Sequence, residues 1–264
     1  MLLNDDGESE APPMEIEYTL DGGDEWIEWD FSDKYNIPEV IVPYERPMVM
    51  RGNCPHGTSR QDIQAFYSFF IYGDITVEVL GCPYSLLGKS RRNTTTLLAN
   101  GENENVYHDI SFFGLFNNNE TISNGSISLP AKTLSKKCYG QMFGSCKNMS
   151  GAMERLPAMN LAEQCYSYMF SNTALSDSPE IMAEKSEILA YWAMFKGCNS
   201  LNTVWMHIVE GNPYTSGDNL CQDMLSNCSS EGTLYVPESD IADYFTQTVC
   251  PTGWTVSFSD RTTA

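Results

Sequence analysis

The sequence predicts an α+β chain, in which an N-terminal antiparallel β-sandwich is followed by a short solenoid of stacked repeats. Three observations predict this order. Short apolar stretches separated by Gly, Pro and Asn occupy 14–100, a polar Asn-rich stretch covers 91–105, and one phrase recurs through 106–258. We therefore expect an acidic tail at 1–13, a sandwich-like domain at 14–100, and a repeat domain with a C-terminal cap at 106–258.

The sandwich prediction rests on short alternating strands. The segment 14–20 alternates loosely, Asp21-Gly-Gly-Asp24 is a turn, and 25–30 resumes the strand, which together make a hairpin pattern. Pro, Gly and Asn interrupt the stretches that follow and keep each one short. Further strands are expected at 39–44, 48–51, 65–72 and 75–80.

From residue 106 onward, one apolar position returns at intervals of 27, 27, 25 and 30 residues. It is occupied by Phe116, Phe143, Phe170, Phe195 and Leu225. Two further sequence motifs recur at constant distances from this apolar position. They are Cys-Tyr, shortly before Met-Phe, and Leu-Pro-Ala, further upstream. Phrases in fixed register define an internal repeat, and stacked units bury faces that a single unit leaves open. We expect these five residues to form one buried column.

Within each unit, apolar residues at positions i, i+1, i+4 and i+5 predict one face of a short helix. Three residues beyond the repeated Phe stands a small residue, which is Cys146, Thr173, Cys198 or Cys228. Cys is among the residue types most often buried, and no Lys, Arg or His is positioned to activate these thiols. Cys146, Cys198 and Cys228 are therefore predicted to be packing residues without a disulfide between them.

The repeat phrases resemble a known family. LPAKTLSKKCYGQMFGSCKNM, LPAMNLAEQCYSYMFSNTAL and AYWAMFKGCNSL, closed by EGTLYVP and PTGWTVSF, resemble the BspA-like leucine-rich repeats of gut Bacteroides-type bacteria and their phages. The resemblance covers 106–258, and a weaker one, through ITVEVLGCPYSLL, covers 14–100. The third unit departs from it, with Ile181-Met-Ala in place of Leu-Pro-Ala. The resemblance implies a leucine-rich-repeat solenoid and recognition at a surface.

Composition excludes two classes of partner. The 35 Asp and Glu residues exceed the 15 Lys and Arg residues, which leaves a net charge of −20. A surface this acidic repels phosphate, so we expect no nucleic-acid binding. No apolar run approaches the roughly 18–20 residues of a membrane helix, so no membrane insertion is expected. Residues 1–30 contain no Lys or Arg and no export signal is recognised there.

No catalytic, cofactor-binding or metal-binding residue is predicted. Cys54 and His56, with Cys82, offer three ligands where a zinc site takes four, so a tight Gly-Pro loop is favoured. His108 and His207 are single histidines within apolar stretches of the sequence. The chain has no nucleophile elbow, no dinucleotide-binding glycine motif and no Walker loop.

These observations favour a non-catalytic recognition or adhesion protein that binds a protein or glycan surface. The leading expectation is a structural or host-recognition component of a phage virion, because virion proteins need no export signal. One alternative is a bacterial cell-surface adhesin whose signal peptide is not shown. An alternative of another class is a carbohydrate-binding or carbohydrate-active protein that uses Trp26, Trp192 or Trp205 as stacking platforms. The oligomeric state is left open.

Overall fold

Where the structure describes the chain, it is mostly sheet with nearly no helix. The predicted acidic tail and the predicted linker at 91–105 lie outside the described residues. A computed structural model describes residues 15–30, 39–43, 46–52, 59–60, 65–66, 68–86, 111–209, 221–237, 241 and 244–258.

The N-terminal part forms a small antiparallel sheet. β1 (Ile16–Thr19) pairs with β2 (Ile27–Trp29) on one side and with β3 (Val49–Gly52) on the other. β4 (Ser59–Arg60) and β5 (Ala65–Phe66) pair as a separate antiparallel ribbon. The hairpin of β1 and β2 lies where the sequence predicts it. A second sheet facing the first, which a sandwich requires, is not shown by the described residues.

The rest of the described chain is a solenoid-like region of about five turns. Successive strands run parallel in two sheets, in the orders β6-β7-β8 and β9-β10-β11-β12-β13, and one coil supplies both β8 and β9. The strands are β6 (Val77–Glu78), β7 (Ile122–Gly125), β8 (Gly151–Ala152), β9 (Arg155–Leu156), β10 (Asp177–Ile181), β11 (Thr203–Met206), β12 (Gly232–Val236) and β13 (Trp254–Phe258). A 3-10 turn spans Pro83–Leu86 and a π-helical turn spans Phe245–Val249.

The parallel ladder begins within the range assigned to the sandwich. β6 pairs in parallel with β7, and the Phe69 N–H donates to the Leu115 carbonyl at 2.8 Å. The Phe116 N–H donates to the Met142 carbonyl in the same manner, at 2.9 Å. Phe69 therefore occupies the repeated Phe position of a coil that precedes residue 106.

The side of each coil opposite the strands is built from turns, so the predicted short helix is wrong. Gln141 is left-handed with a φ of 54°, and its N–H donates to the Ser167 carbonyl of the next coil at 2.8 Å. The following N–H, of Met142, donates within its own coil to the Tyr139 carbonyl at 3.2 Å. Left-handed residues recur at every fourth position, at Lys137, Gln141 and Ser145 and again at Gln164, Tyr168 and Asn172.

The apolar spacing explains this difference. Positions i, i+1, i+4 and i+5 repeat every four residues, whereas an α-helix repeats every 3.6 residues. In an α-helix the interior N–H groups also bond carbonyls of the same helix. The turns instead leave alternate N–H groups free to bond the next coil. In the described coils, these bonds all run from one coil to the carbonyl of the coil that follows it in sequence.

Two columns of rings form the core. In the phenylalanine column, Phe116, Phe143, Phe170 and Phe195 stack in sequence, with ring centroids 5.4 to 6.0 Å apart. Leu225 follows them and is fully buried. The second column stacks Phe112, Tyr139, Tyr166 and Tyr191 at 6.0 to 6.3 Å.

Both ends of the stack are covered by other elements. Trp29 of β2 stacks on Phe69 with centroids 5.9 Å apart, and Phe69 in turn contacts Phe116 at 6.2 Å. At the opposite end, Phe245 is fully buried and Tyr244 packs against its ring. The antiparallel sheet and the π-helical turn therefore act as caps, which solenoids need because their terminal repeats have only one neighbour.

Candidate binding face

The predicted cysteine column forms hydrogen bonds to backbone carbonyls of the turns. Cys146, Cys198 and Cys228 each donate through Sγ to the carbonyl of the repeated Phe in the preceding coil, at 3.0 to 3.2 Å. Burial raises the pKa of the Cys146 and Cys228 thiols to about 12, so these thiols stay protonated at neutral pH and act as donors. Asn119 holds the same place in its coil and donates to the Phe69 carbonyl at 2.7 Å.

The cysteine column has a structural role, and its thiols do not form a reactive site. The described cysteines are free thiols. The polar groups that contact the Cys198 thiol are the Phe170 carbonyl and the Thr173 hydroxyl. A reactive cysteine needs a lowered pKa and access to solvent. Cys146 and Cys198 have neither, because both are fully buried and burial raises the pKa of each.

The outward side chains of the long parallel sheet form the candidate binding face. Strand pairing aligns one residue from each of β9 to β13 in a row that runs across the sheet. We call this set the outer row. Its members are Arg155, Glu180, Trp205, Tyr235 and Ser257.

A shielded carboxylate lies near one end of the outer row. The Glu180 side chain is only 3% exposed, and its Oε1 accepts from His207 Nε2 at 2.8 Å. Its Oε2 lies 3.5 Å from Nη2 of Arg155, whose side chain is 53% exposed. Because both carboxylate oxygens are occupied, Glu180 orients Arg155 and His207. The guanidinium keeps further N–H donors for a partner.

An aromatic pair lies at the centre of the outer row. Trp205 and Tyr235 are direct partners in the register of β11 and β12, and their rings stack with centroids 4.0 Å apart and planes 9° apart. Tyr235 faces Ser257 on its other side, in the register of β12 and β13. Along the same face, the hydroxyls of Thr233 and Thr255 lie 3.3 Å apart.

The remaining candidates from the sequence are scattered over the molecule. Trp192 packs edge-on against Tyr168 at 4.9 Å, on the turn side, and Trp26 lies under Arg51, whose Cζ is 3.8 Å from the ring centroid. His207 directly follows β11 and joins the outer row through Glu180. Cys82 packs against the solenoid core. Cys54, His56 and His108 lie outside the described residues.

The Asp21–Asp24 turn uses its carboxylate internally. Asp21 accepts N–H bonds from Gly23, Asp24 and Glu25 at 3.1 to 3.3 Å. These bonds and the Thr19 hydroxyl lower the pKa of Asp21, with the hydroxyl as the largest cause. Within the residues that the structure describes, no group of three or more His, Cys, Asp or Glu side chains is placed to hold a metal ion. The same residues include no helix long and apolar enough to cross a membrane.

Sequence reasoning missed Arg155 and Glu180. The two residues stand 25 positions apart in the chain, in text that differs between units. Their shared place becomes visible only when the pairing of β9 with β10 is known. The signal in the sequence is weak and consists of position alone. Arg155 directly precedes Leu156, and Glu180 directly precedes Ile181, the repeated apolar residue of each strand.

Comparison with known proteins returns no relative. No protein-family model, no curated protein and no solved structure matches the chain.

Proposed function

We propose that this chain is a non-catalytic recognition protein that binds a large partner through the outer row of its parallel sheet. The observation that carries the proposal is the composition of that row. Arg155, Trp205 and Tyr235 are the residue types that dominate binding energy at protein interfaces. Here strand pairing holds Trp205 and Tyr235 side by side, and Glu180, which lies between Trp205 and Arg155, contacts the guanidinium of Arg155. A preorganised row loses little conformational freedom on binding.

The state of Glu180 supports binding over catalysis. A general acid or base must reach the proton that it transfers. The Glu180 carboxylate is shielded, and its two oxygens contact Arg155 and His207. It therefore serves to position its neighbours.

The setting that we propose is a phage virion, with a bacterial cell surface as the alternative. Support for either setting is the resemblance of the repeats at 106–258 to BspA-like leucine-rich repeats. The acidic surface adds to it by disfavouring nucleic acid as the partner. Mass spectrometry of purified virions from a phage that carries this gene tests the setting. Peptides of this chain in the particles support the virion, and their absence favours the cell surface.

A cell-binding assay tests the recognition itself. The fluorescently labelled full chain is incubated with gut Bacteroides-type cells and measured by flow cytometry. Thr203→Arg places a bulky charge on the outward side of β11, and Arg155→Ala removes the exposed end of the row. Each is expected to weaken binding by about tenfold, the loss typical of one strong contact.

The matched control is Ser200→Arg, which adds the same charge at an exposed turn position after Cys198. It is expected to leave binding unchanged. Equal binding by all three variants would move the recognition away from the outer row, and no binding by the unmodified chain would overturn the proposal for these cells.

A further inference from the structure

On one side, the neighbour of the aromatic pair in the outer row is a serine and not a third ring. The row places Tyr235 between a large ring, Trp205, and a small side chain, Ser257. Trp205 covers one face of the Tyr235 ring at 4.0 Å. Ser257 is too small to cover the other face, and β13 is the last strand of the described sheet. The second ring face of Tyr235 is therefore turned toward a serine and not toward another ring of the row.

Polar groups surround this position in a specific way. Thr233 and Thr255 direct their hydroxyls to the same side of the sheet, one step along the strands from Tyr235 and Ser257. Within the described part of the chain, the Ser257 hydroxyl makes no hydrogen bond. The charged members of the row, Arg155 and Glu180, lie beyond Trp205. The space beside Tyr235 thus combines an aromatic face with neutral hydroxyls.

We propose that the space above Ser257 is a subsite for one ring of a neutral glycan, which stacks on the free face of Tyr235. This inference rests on the proposed function, because it names the ligand class for the same face. A pyranose ring has an apolar C–H face, which packs on an aromatic ring, and a rim of hydroxyls. Each hydroxyl of that rim is both donor and acceptor, as are those of Ser257, Thr233 and Thr255.

Charge and hydroxyl content favour a glycan over an aromatic side chain of a protein. An inserted aromatic side chain would cover Tyr235 equally well, but it would shield the Ser257 hydroxyl from water without giving it a partner, which costs binding energy. Thr233 and Thr255 already bond each other. An acidic glycan is disfavoured by the net charge of −20. The expected ligand is therefore an uncharged oligosaccharide.

Isothermal titration of the full chain with neutral hexasaccharides of glucose, N-acetylglucosamine, galactose and mannose tests the subsite. At least one is expected to bind the unmodified chain. Tyr235→Ala removes the ring and is expected to weaken that binding by about tenfold or more, while Tyr235→Phe keeps the ring and is expected to retain it.

Ser257→Tyr provides the decisive variant, because it fills the space while leaving every ring of the unmodified chain in place. It is expected to abolish binding of the same sugar, with an unchanged thermal unfolding curve. Sugar binding that survives Ser257→Tyr, or no binding of any of the four sugars, overturns the proposal. A Trp-containing hexapeptide is titrated in parallel, and peptide binding blocked by Ser257→Tyr without sugar binding assigns the space to a protein partner.

The two proposals fail separately. Failure of the sugar titrations with cell binding still lost in Thr203→Arg overturns only the glycan subsite. Sugar binding at Tyr235 with cell binding unaffected by Thr203→Arg overturns only the recognition of cells by this face.

Discussion

At the residue scale, the rings of the phenylalanine column set the stability of the stack. Phe170 is fully buried between Phe143 and Phe195, whose ring centroids lie 6.0 and 5.7 Å away. Removal of a buried ring leaves a cavity that the neighbouring coils, tied to each other by hydrogen bonds, cannot close.

Phe170→Ala is therefore expected to lower the free energy of unfolding by about 3–5 kcal/mol. Urea denaturation followed by circular dichroism measures this change. Phe258→Ala is the control, because the Phe258 residue is 55% exposed at the end of β13, and its loss is expected to cost far less. A similar cost for both variants would contradict the column.

The thiols of the cysteine column make the free energy of unfolding vary with pH in the alkaline range. The pKa of Cys146 is about 12 in the folded chain, against an ordinary value of 9.0. Between these values the unfolded chain loses the proton and the folded chain keeps it, so the free energy of unfolding falls as pH rises from about 9 to about 12.

Cys146→Ala removes that contribution, which is about 1.4 kcal/mol per pH unit within the window. The expected result is a flatter decline of the free energy of unfolding above pH 9, measured by urea denaturation in reducing buffer. Thr173→Ala is the control, since Thr173 holds the same place with a hydroxyl that does not titrate there. Parallel pH profiles for the unmodified chain and Cys146→Ala would refute the assignment.

At the element scale, the turn side depends on left-handed residues at every fourth position. Gln164 has a φ of 56°, and its N–H donates to the Ile188 carbonyl of the next coil. A β-branched side chain at such a φ clashes with its own backbone, whereas Gly adopts it freely.

Gln164→Val is accordingly expected to lower the free energy of unfolding by about 1–2 kcal/mol. Gln164→Gly at the same position is expected to stay within about 0.5 kcal/mol of the unmodified chain, because relief of the strain offsets the greater freedom of the unfolded state. Chemical denaturation of the two variants measures the difference. Equal losses for Val and Gly would argue for a right-handed conformation at residue 164.

The repeated phrases predicted which residues share a column but not the local backbone. Identical spacing brings Phe143 and Phe170 to equivalent places in successive coils, whatever conformation links them. The spacing i, i+1, i+4, i+5 fits a helix loosely and a four-residue turn closely, and the choice depends on hydrogen bonds to the next coil, which one unit alone does not reveal.

Other features were beyond the reach of sequence patterns. Phe69 stands 47 residues before Phe116 and has no Met before it, so the interval and the phrase both fail at the first coil. The contact of Glu180 with Arg155 and His207 depends on the register of three strands, one of which contains a bulge. Long-range register of this kind is set by packing of the whole stack.

At the scale of the whole molecule, the N-terminal sheet protects the first coil. Trp29 stacks on Phe69, while Trp26, three residues away in the same hairpin, lies against Arg51 instead. Since each coil of a solenoid is stabilised mainly by its neighbours, loss of a cap is felt most by the coils nearest to it.

Trp29→Ala is expected to speed amide hydrogen exchange at 68–86 and 111–125 and to leave 190–206 nearly unchanged. Hydrogen exchange followed by mass spectrometry measures all three segments in one experiment. Trp26→Ala is the matched control and is expected to spare the first coils. Equal exchange profiles for the two variants would show that the sheet does not act as a cap.

The one-way hydrogen bonds between the turns give the stack an electrical polarity. From Phe69 to Gly197, every described N–H that bonds another coil on the turn side points toward the coil that follows it. Aligned peptide dipoles add, as they do in an α-helix. In a helix the N–H groups point to the N-terminal end and make it positive. On the turn side of this stack they point the other way, so the partial positive charge of these peptides lies toward the C-terminal coil and the partial negative charge toward the coil that begins with Phe69. On the strand side several N–H groups bond the preceding coil instead, as Ser150 does to the Ser123 carbonyl and Ala174 to the Met149 carbonyl. The macrodipole of reversed sense therefore belongs to the turn side of the described solenoid, and the strand side opposes it.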